Sequence, residues 1–158
     1  MTRSPGTGLA ALSGRAPQDI AVEDGVRRLT WAELDARSLA MAHGLEKLGA
    51  EPGSHVAVCV SNRVEFVEAV LGAWRAGCAY TPLKTSWTAD EVGVVLDDAS
   101  TRVVVADRDG SRSAAGSRGL AVVDVDDGYE AWLGAQDDSP VEDRCGYKLP
   151  FTSGTTGC

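Results

Sequence analysis

The chain has 158 residues and a net charge of −8, from 15 basic and 23 acidic side chains, with 44% hydrophobic and 24% charged residues. That balance is one of a globular domain with its own core, and with no basic stripe present it speaks against disorder and against nucleic acid as a partner. No stretch reaches the roughly 18 apolar residues of a membrane span, and the opening Met1-Thr2-Arg3-Ser4-Pro5-Gly6-Thr7-Gly8 lacks the apolar segment of a secretion signal, so the cytoplasm is the expected location.

Residues 1–15 carry no clear element. Gly6-Thr7-Gly8-Leu9-Ala10-Ala11 fits a loose G-x-G-x-x-A pattern, but no strand precedes it, so the turn and helix dipole that give a dinucleotide fingerprint its meaning are not set up. Ile20–Glu23 and Val26–Leu29 flank Asp24-Gly25, a hairpin signal because both turn positions tolerate positive φ. Thr30-Trp31-Ala32-Glu33 is a capping box. It opens a helix whose buried face is Leu34, Ser38, Met41, Leu45 and Leu48, with Gly49 as its stop and His43 off the stripe, facing solvent.

Val56–Val60 is a continuous apolar run, the pattern of a strand covered on both faces, with His55 as an edge residue at its start. Asn62 is placed to cap a helix with Val64, Val67, Leu71 and Trp74 as its apolar stripe, ending at Ala76-Gly77. Cys78–Leu83 is a short strand, and Thr88-Ala89-Asp90-Glu91 a second capping box before Val92, Val95 and Leu96. Arg102–Ala106 is a further buried strand.

Residues 55–106 thus alternate strand, helix, strand, helix, strand. The expected fold class is α/β, a mainly parallel sheet flanked by helices with an N-terminal hairpin, binding ligands at the carboxyl ends of its strands. Residues 107–119 read as a mobile, solvated loop with three arginines, Leu120–Val125 as a strand, and Tyr129–Leu133 as a helical turn. Asp124, Asp126 and Asp127 lack the spacing of a calcium loop, so no metal site is assigned. Cys59, Cys78, Cys145 and Cys158 show no C-x-x-C pair and are expected to be reduced; the first two sit in apolar segments.

Gln136–Arg144 is a polar connector to the last segment, residues 147–158. There a strand-like Tyr147–Phe151 runs into Thr152-Ser153-Gly154-Thr155-Thr156-Gly157, four hydroxyls and two glycines in six positions. Glycine lets consecutive N–H groups turn into one concavity and the hydroxyls add donors at its rim, a composition suited to phosphate.

Three stretches carry a resemblance to the adenylate-forming enzymes: Leu29-Thr30-Trp31-Ala32-Glu33-Leu34, Trp74-Arg75-Ala76-Gly77-Cys78-Ala79-Tyr80-Thr81-Pro82-Leu83 and Phe151–Gly157, in that order. The chain resembles the amino-terminal part of an acyl-CoA synthetase from about Ala16 onward. The resemblance implies that Thr152, Ser153, Gly154, Thr155, Thr156 and Gly157 hold the phosphates of ATP, and that ATP with Mg2+ and a carboxylic acid give an acyl adenylate, which coenzyme A then captures. A fatty or other aliphatic acid is the expected substrate. The family's loop continues with Pro-Lys-Gly after one variable residue, the place taken here by Cys158, and no catalytic residue is assigned. Residues 1–158 are accordingly expected to form an incomplete AMP-binding domain, inactive in isolation. The alternatives are a non-catalytic remnant or interaction module, self-associating through an exposed sheet edge, and a fragment of a peptide-synthetase adenylation domain.

Overall fold

The computed structural model describes residues 16–141 and 146–149. A hairpin of β1 (Ile20–Glu23) and β2 (Arg28–Thr30) leads into helix α1 (Trp31–Lys47). Then β3 (His55–Cys59), α2 (Val64–Arg75), β4 (Ala79–Pro82), α3 (Ala89–Asp98), β5 (Thr101–Ala106), α4 (Asp109–Gly116), β6 (Ala121–Asp124), α5 (Tyr129–Gly134) and β7 (Tyr147–Lys148) follow. The second sheet has the order β6-β5-β3-β4-β7, with every neighbouring pair parallel. This is the α/β architecture expected from the alternation of patterns. No helix among the described residues is long and apolar enough to cross a membrane.

Helix α1 starts where its capping box places it. Thr30 Oγ1 accepts from the Glu33 N–H at 3.2 Å, and the Glu33 carboxylate accepts from the Thr30 N–H at 2.8 Å. The bond from the Thr30 N–H, and after it one from the Thr30 hydroxyl at 3.1 Å, hold the Glu33 carboxyl below its ordinary value. Leu34, Ser38, Met41 and Leu45 are buried as expected, Leu48 packs at the margin, and Gly49 leaves the helix at φ +94°.

Helix α2 departs from expectation at both its cap and its face. Asn62 does not cap it; the Val64 N–H donates instead to Asp24 Oδ2 at 2.9 Å, from the turn of the hairpin. Asp24 Oδ1 meanwhile accepts from the Val26 and Arg27 N–H groups at 2.9 and 2.7 Å. Bonds from the backbone of Arg27, then Val64, then Val26 lower the Asp24 carboxyl to about 2. The buried face is Val64, Glu65, Glu68, Ala69, Gly72 and Ala73, while Trp74 is 44% exposed. The reason is a close helix–helix approach: a Cβ at Gly72 would stand 2.1 Å from Met41 Cγ, so only the small-residue row fits against α1.

The sheet is covered on both faces. One cluster joins Met41, Leu45, Ala69, Ala73, Tyr129 and Leu133 of α1, α2 and α5 to Val56, Val58, Val103, Val105 and Val123. The opposite face joins Val92, Leu96, Ala114 and Ala115 of α3 and α4 to Ala57, Cys59, Val104 and Ala106. Residues 107–119 are therefore not a loop throughout. Asp109–Gly116 forms α4, whose apolar contribution is two alanines rather than a periodic row of large side chains. His55 does stand at the start of β3, as read, but it is buried there and not at an open margin. His43 is half-buried, with Nε2 3.0 Å from the Ser139 carbonyl oxygen. The Gly6–Ala11 pattern lies outside the described residues.

Candidate functional site at the carboxyl edge of the sheet

After β3 the chain turns to the α2 face, and after the adjacent β4 it turns to the α3 face. Neighbouring strands whose connections diverge leave a crevice beyond their carboxyl ends, the usual ligand position in an open parallel sheet. Here that crevice has a volume of about 420 Å3, between Val60-Ser61-Asn62 after β3, Leu83-Lys84-Thr85 after β4, and Arg108 after β5. Its charged side chains are the cations Lys84 and Arg108. Arg108 donates to Ser61 Oγ at 2.7 Å, and the Lys84 ammonium lies 5.9 Å from the Trp87 ring centroid. Asp107 supports the rim from beneath: its Oδ2 accepts from the Ser61 N–H at 2.9 Å, while its buried Oδ1 has no hydrogen-bond partner.

Strand β7 joins the sheet beside β4 and carries the chain to the same edge. The Gly146 N–H donates to the Trp74 carbonyl at 2.9 Å, and Ala79 and Tyr80 pair with Tyr147 and Lys148. A side chain at residue 146 would drive its Cβ to 2.2 Å from the Cys78 oxygen, so glycine is required where β7 enters. The Leu149 N–H donates to the Tyr80 carbonyl at 2.8 Å, and the Thr81 hydroxyl donates to the Leu149 carbonyl at 2.5 Å. The residues singled out for phosphate, Thr152, Ser153, Gly154, Thr155, Thr156 and Gly157, lie outside the described residues, beginning three positions after Leu149.

Asp124 and Asp126 take bonds of 2.6 Å from Arg112 and Arg63 respectively. Among the described residues no three His, Cys, Asp or Glu side chains come together as a metal-binding group, and none is assigned to Mg2+. Cys59 and Cys78 are buried, and burial raises the Cys59 thiol above its ordinary value, which disfavours the thiolate.

Two constellations were not foreseen from the sequence. The first lies under α1 and α2, where the fully buried Glu68 accepts from Arg37 Nε at 2.5 Å and from the Tyr129 hydroxyl at 2.6 Å. Arg37 also reaches Glu130 at 2.8 Å, and Arg27 bridges Glu65 and Glu130 at 3.0 and 2.8 Å. Hydrogen bonds from Arg37, acting with its charge, keep the Glu130 carboxyl low. The second is His55 between Thr81 and Thr101, at 2.7 and 3.0 Å. Neither group has a spacing motif, since its members come from different elements; a polar residue inside an apolar strand, as at Thr81, is the only trace of it in the sequence.

A family model described as AMP-binding enzyme matches residues 10–158. Malpinin synthetase of Mortierella alpina is 36% identical over 146 residues, which cover 90% of this chain and 2% of that protein. CymA of Salinispora arenicola, described as a probable non-canonical nonribosomal peptide synthetase, is 34% identical over 152 residues, covering 89% of this chain and 2% of that protein. Among solved structures, a Mycobacterium tuberculosis fatty acyl CoA synthetase superposes with a TM-score of 0.80 at 25% identity, covering 92% of this chain and 32% of that one. The chain thus spans a small fraction of the relatives it matches.

Proposed function

Because the chain belongs to the AMP-binding enzyme family, we propose that it supplies the phosphate-holding part of an ATP-dependent carboxylate activation, in which a carboxylate oxygen attacks the α-phosphorus and pyrophosphate leaves. The observation that carries this is the delivery of β7 to the carboxyl edge of the sheet, beside a crevice whose charged side chains are Lys84 and Arg108. Thr152, Ser153, Gly154, Thr155, Thr156 and Gly157 are assigned to the nucleotide phosphates. Their N–H and hydroxyl donors would hold the triphosphate in line and spread the charge that moves onto the leaving oxygens. Mg2+ would accompany the nucleotide and screen its charge. The place of action proposed is the cytoplasm.

For the acid and the acceptor there are two readings. Transfer of an aliphatic acyl group to coenzyme A is suggested by the likeness to a fatty acyl CoA synthetase. Activation of an amino acid in a peptide synthetase is favoured by the higher identity to CymA.

Titration calorimetry of the chain with ATP tests the phosphate assignment. Binding is expected, weakened about tenfold or more by Thr155→Ala with Thr156→Ala, the size of a lost charge-assisted hydrogen bond. Wild-type binding unchanged by those substitutions would remove the loop from the site. No binding at all would turn the choice to the non-catalytic alternative, a module that associates through its sheet edge. In the complete enzyme, pyrophosphate exchange dependent on an amino acid or on a fatty acid separates the two readings of the acid.

A further inference from the structure

Helix α2 begins without a cap of its own. The residue that flanks it is Arg63, whose side chain carries only donors and goes to Asp126 and Glu65 at 2.6 and 3.2 Å. The acceptor for the opening turn comes from the hairpin, 40 positions earlier in the chain. There Asp24 divides its two oxygens between two tasks. Oδ1 folds the turn, accepting from the Val26 and Arg27 N–H groups at 2.9 and 2.7 Å, and Oδ2 accepts from the Val64 N–H at 2.9 Å. Arg27 adds a second grip from the same tip, donating to Glu65 at 3.0 Å and to Glu130 at 2.8 Å. Beneath these bonds Leu29 and Val64 are buried together, with Val22, Val67 and Leu71 packed against them.

The stretch so gripped is also a wall of the crevice, which Val60, Ser61, Asn62 and Phe66 line from the side of β3 and α2. Its backbone is held by carboxylates at two points: the Ser61 N–H donates to Asp107, after β5, and the Val64 N–H to Asp24. The first anchor belongs to the sheet. The second exists only while the hairpin is docked. Each helical residue advances about 100° around the axis, so a first turn that unwinds by one residue re-aims the side chains at its start. A serine or aspartate at position 63 would cap the helix equally well, so helix stability alone does not explain an acceptor placed on the hairpin.

We infer that Asp24 is a positioning residue: from the hairpin tip it fixes the first turn of α2, and with it the crevice wall of Ser61, Asn62 and Phe66. It touches no ligand. Its consequence for ATP rests on the proposed function, in which this crevice borders the nucleotide phosphates; the bonds themselves do not.

Asp24→Asn separates the two tasks. An Asn-Gly pair keeps the hairpin turn, and a side-chain amide has one oxygen where the carboxylate has two, so the Val64 N–H loses its acceptor while the turn survives. Val123→Ala is the control, destabilising the sheet from β6, its far strand. On the full chain, amide hydrogen exchange is compared at Val64–Phe66 and at Val103–Val105, and ATP affinity is measured by calorimetry. Asp24→Asn is expected to speed exchange at Val64–Phe66 about fivefold, the size of a lost cap, and to weaken ATP binding by up to about the same factor, with Val103–Val105 unaltered. Asp24→Ala extends the faster exchange to Val26 and Arg27, and Val123→Ala leaves ATP affinity as it was. The inference is overturned if Asp24→Asn leaves exchange at Val64–Phe66 unchanged, or speeds Val103–Val105 to the same degree. It is overturned equally if exchange responds but ATP affinity does not, or if Val123→Ala weakens ATP binding as much. Wild-type chain that binds no ATP removes the proposed role of the crevice and the positioning role with it; the exchange comparison then still decides whether Asp24 fixes the start of α2.

Discussion

The two faces of the central sheet are covered by different means. On one, α1, α2 and α5 lie over valines of β3, β5 and β6, and the helices are joined by the charged Arg37, Glu68 and Glu130 and the neutral Tyr129 hydroxyl, with Arg27 and Glu65 continuing to the hairpin. On the other, α3 and α4 pack through Val92, Leu96, Ala114 and Ala115, and Arg118, two residues past α4, pairs with Asp97 of α3 at 2.7 Å on the surface. The first face brings α5 against α1 and the hairpin, residue 130 against 37 and 27, from distant parts of the chain, and directional bonds there fix their angles. The second is built from consecutive units whose short connections already set the geometry. Buried charge therefore marks the place where chain connectivity does least to determine packing.

Breaking the charged face should have the largest effect. Glu68→Ala strips Arg37 Nε and the Tyr129 hydroxyl of their buried acceptor, and is expected to cost about 3–5 kcal/mol in urea unfolding. Glu68→Gln, which keeps the shape and one acceptor, should cost less. If both cost under about 1 kcal/mol, the charged network is incidental and the contrast between the faces fails.

The close approach of α1 and α2 is tested by Gly72→Ala. The added methyl would meet Met41 Cγ at 2.1 Å and Cβ at 2.5 Å, so overpacking of about 1–3 kcal/mol is expected, although alanine is the better helix former. A stabilised variant would show that the helices can slide apart freely.

On the second face Thr88→Ala removes the capping box of α3, where Thr88 Oγ1 accepts from the Glu91 N–H at 3.3 Å, with an expected loss of about 1 kcal/mol. Because that box is local, the loss should persist unchanged in a Glu68→Ala background.

A smaller effect belongs to pH. The folded Asp24 carboxyl lies near 2 against an ordinary value of 3.8, so the anion is the form favoured by folding. Its contribution is complete above the unfolded value and is lost as pH falls from about 4 through 2. Asp24→Asn should flatten the acid limb of a plot of Tm against pH and lower Tm slightly at pH 7.

Much of the fold was legible because it is encoded locally. The two capping boxes, the Asp24-Gly25 turn and the apolar runs at Val56–Val60 and Arg102–Ala106 each occupy a few adjacent residues, and the structure has a helix start, hairpin or strand at each. The misread places share one cause. Trp74 looked like core because periodicity counts apolar residues, whereas the helix–helix approach selects small ones. Asn62 looked like a cap because its neighbour across space, Asp24, is distant in the chain. His55 looked like a residue at the margin of its strand because the threonines that face it, Thr81 and Thr101, belong to other strands.

By itself the sequence determined the alternation of elements over residues 55–106, the parallel sheet and the family resemblance carried by three short stretches, all properties of residues within a turn or strand of one another. Tertiary structure alone decided that Glu68 is buried between Arg37 and Tyr129, that Gly146 slips β7 against the Cys78 carbonyl, and that Thr81 lies between His55 and the Leu149 carbonyl. The physical reason is reach. Backbone propensity and capping act over three or four residues, whereas a buried polar group takes its partners from whichever elements the packed core brings alongside it.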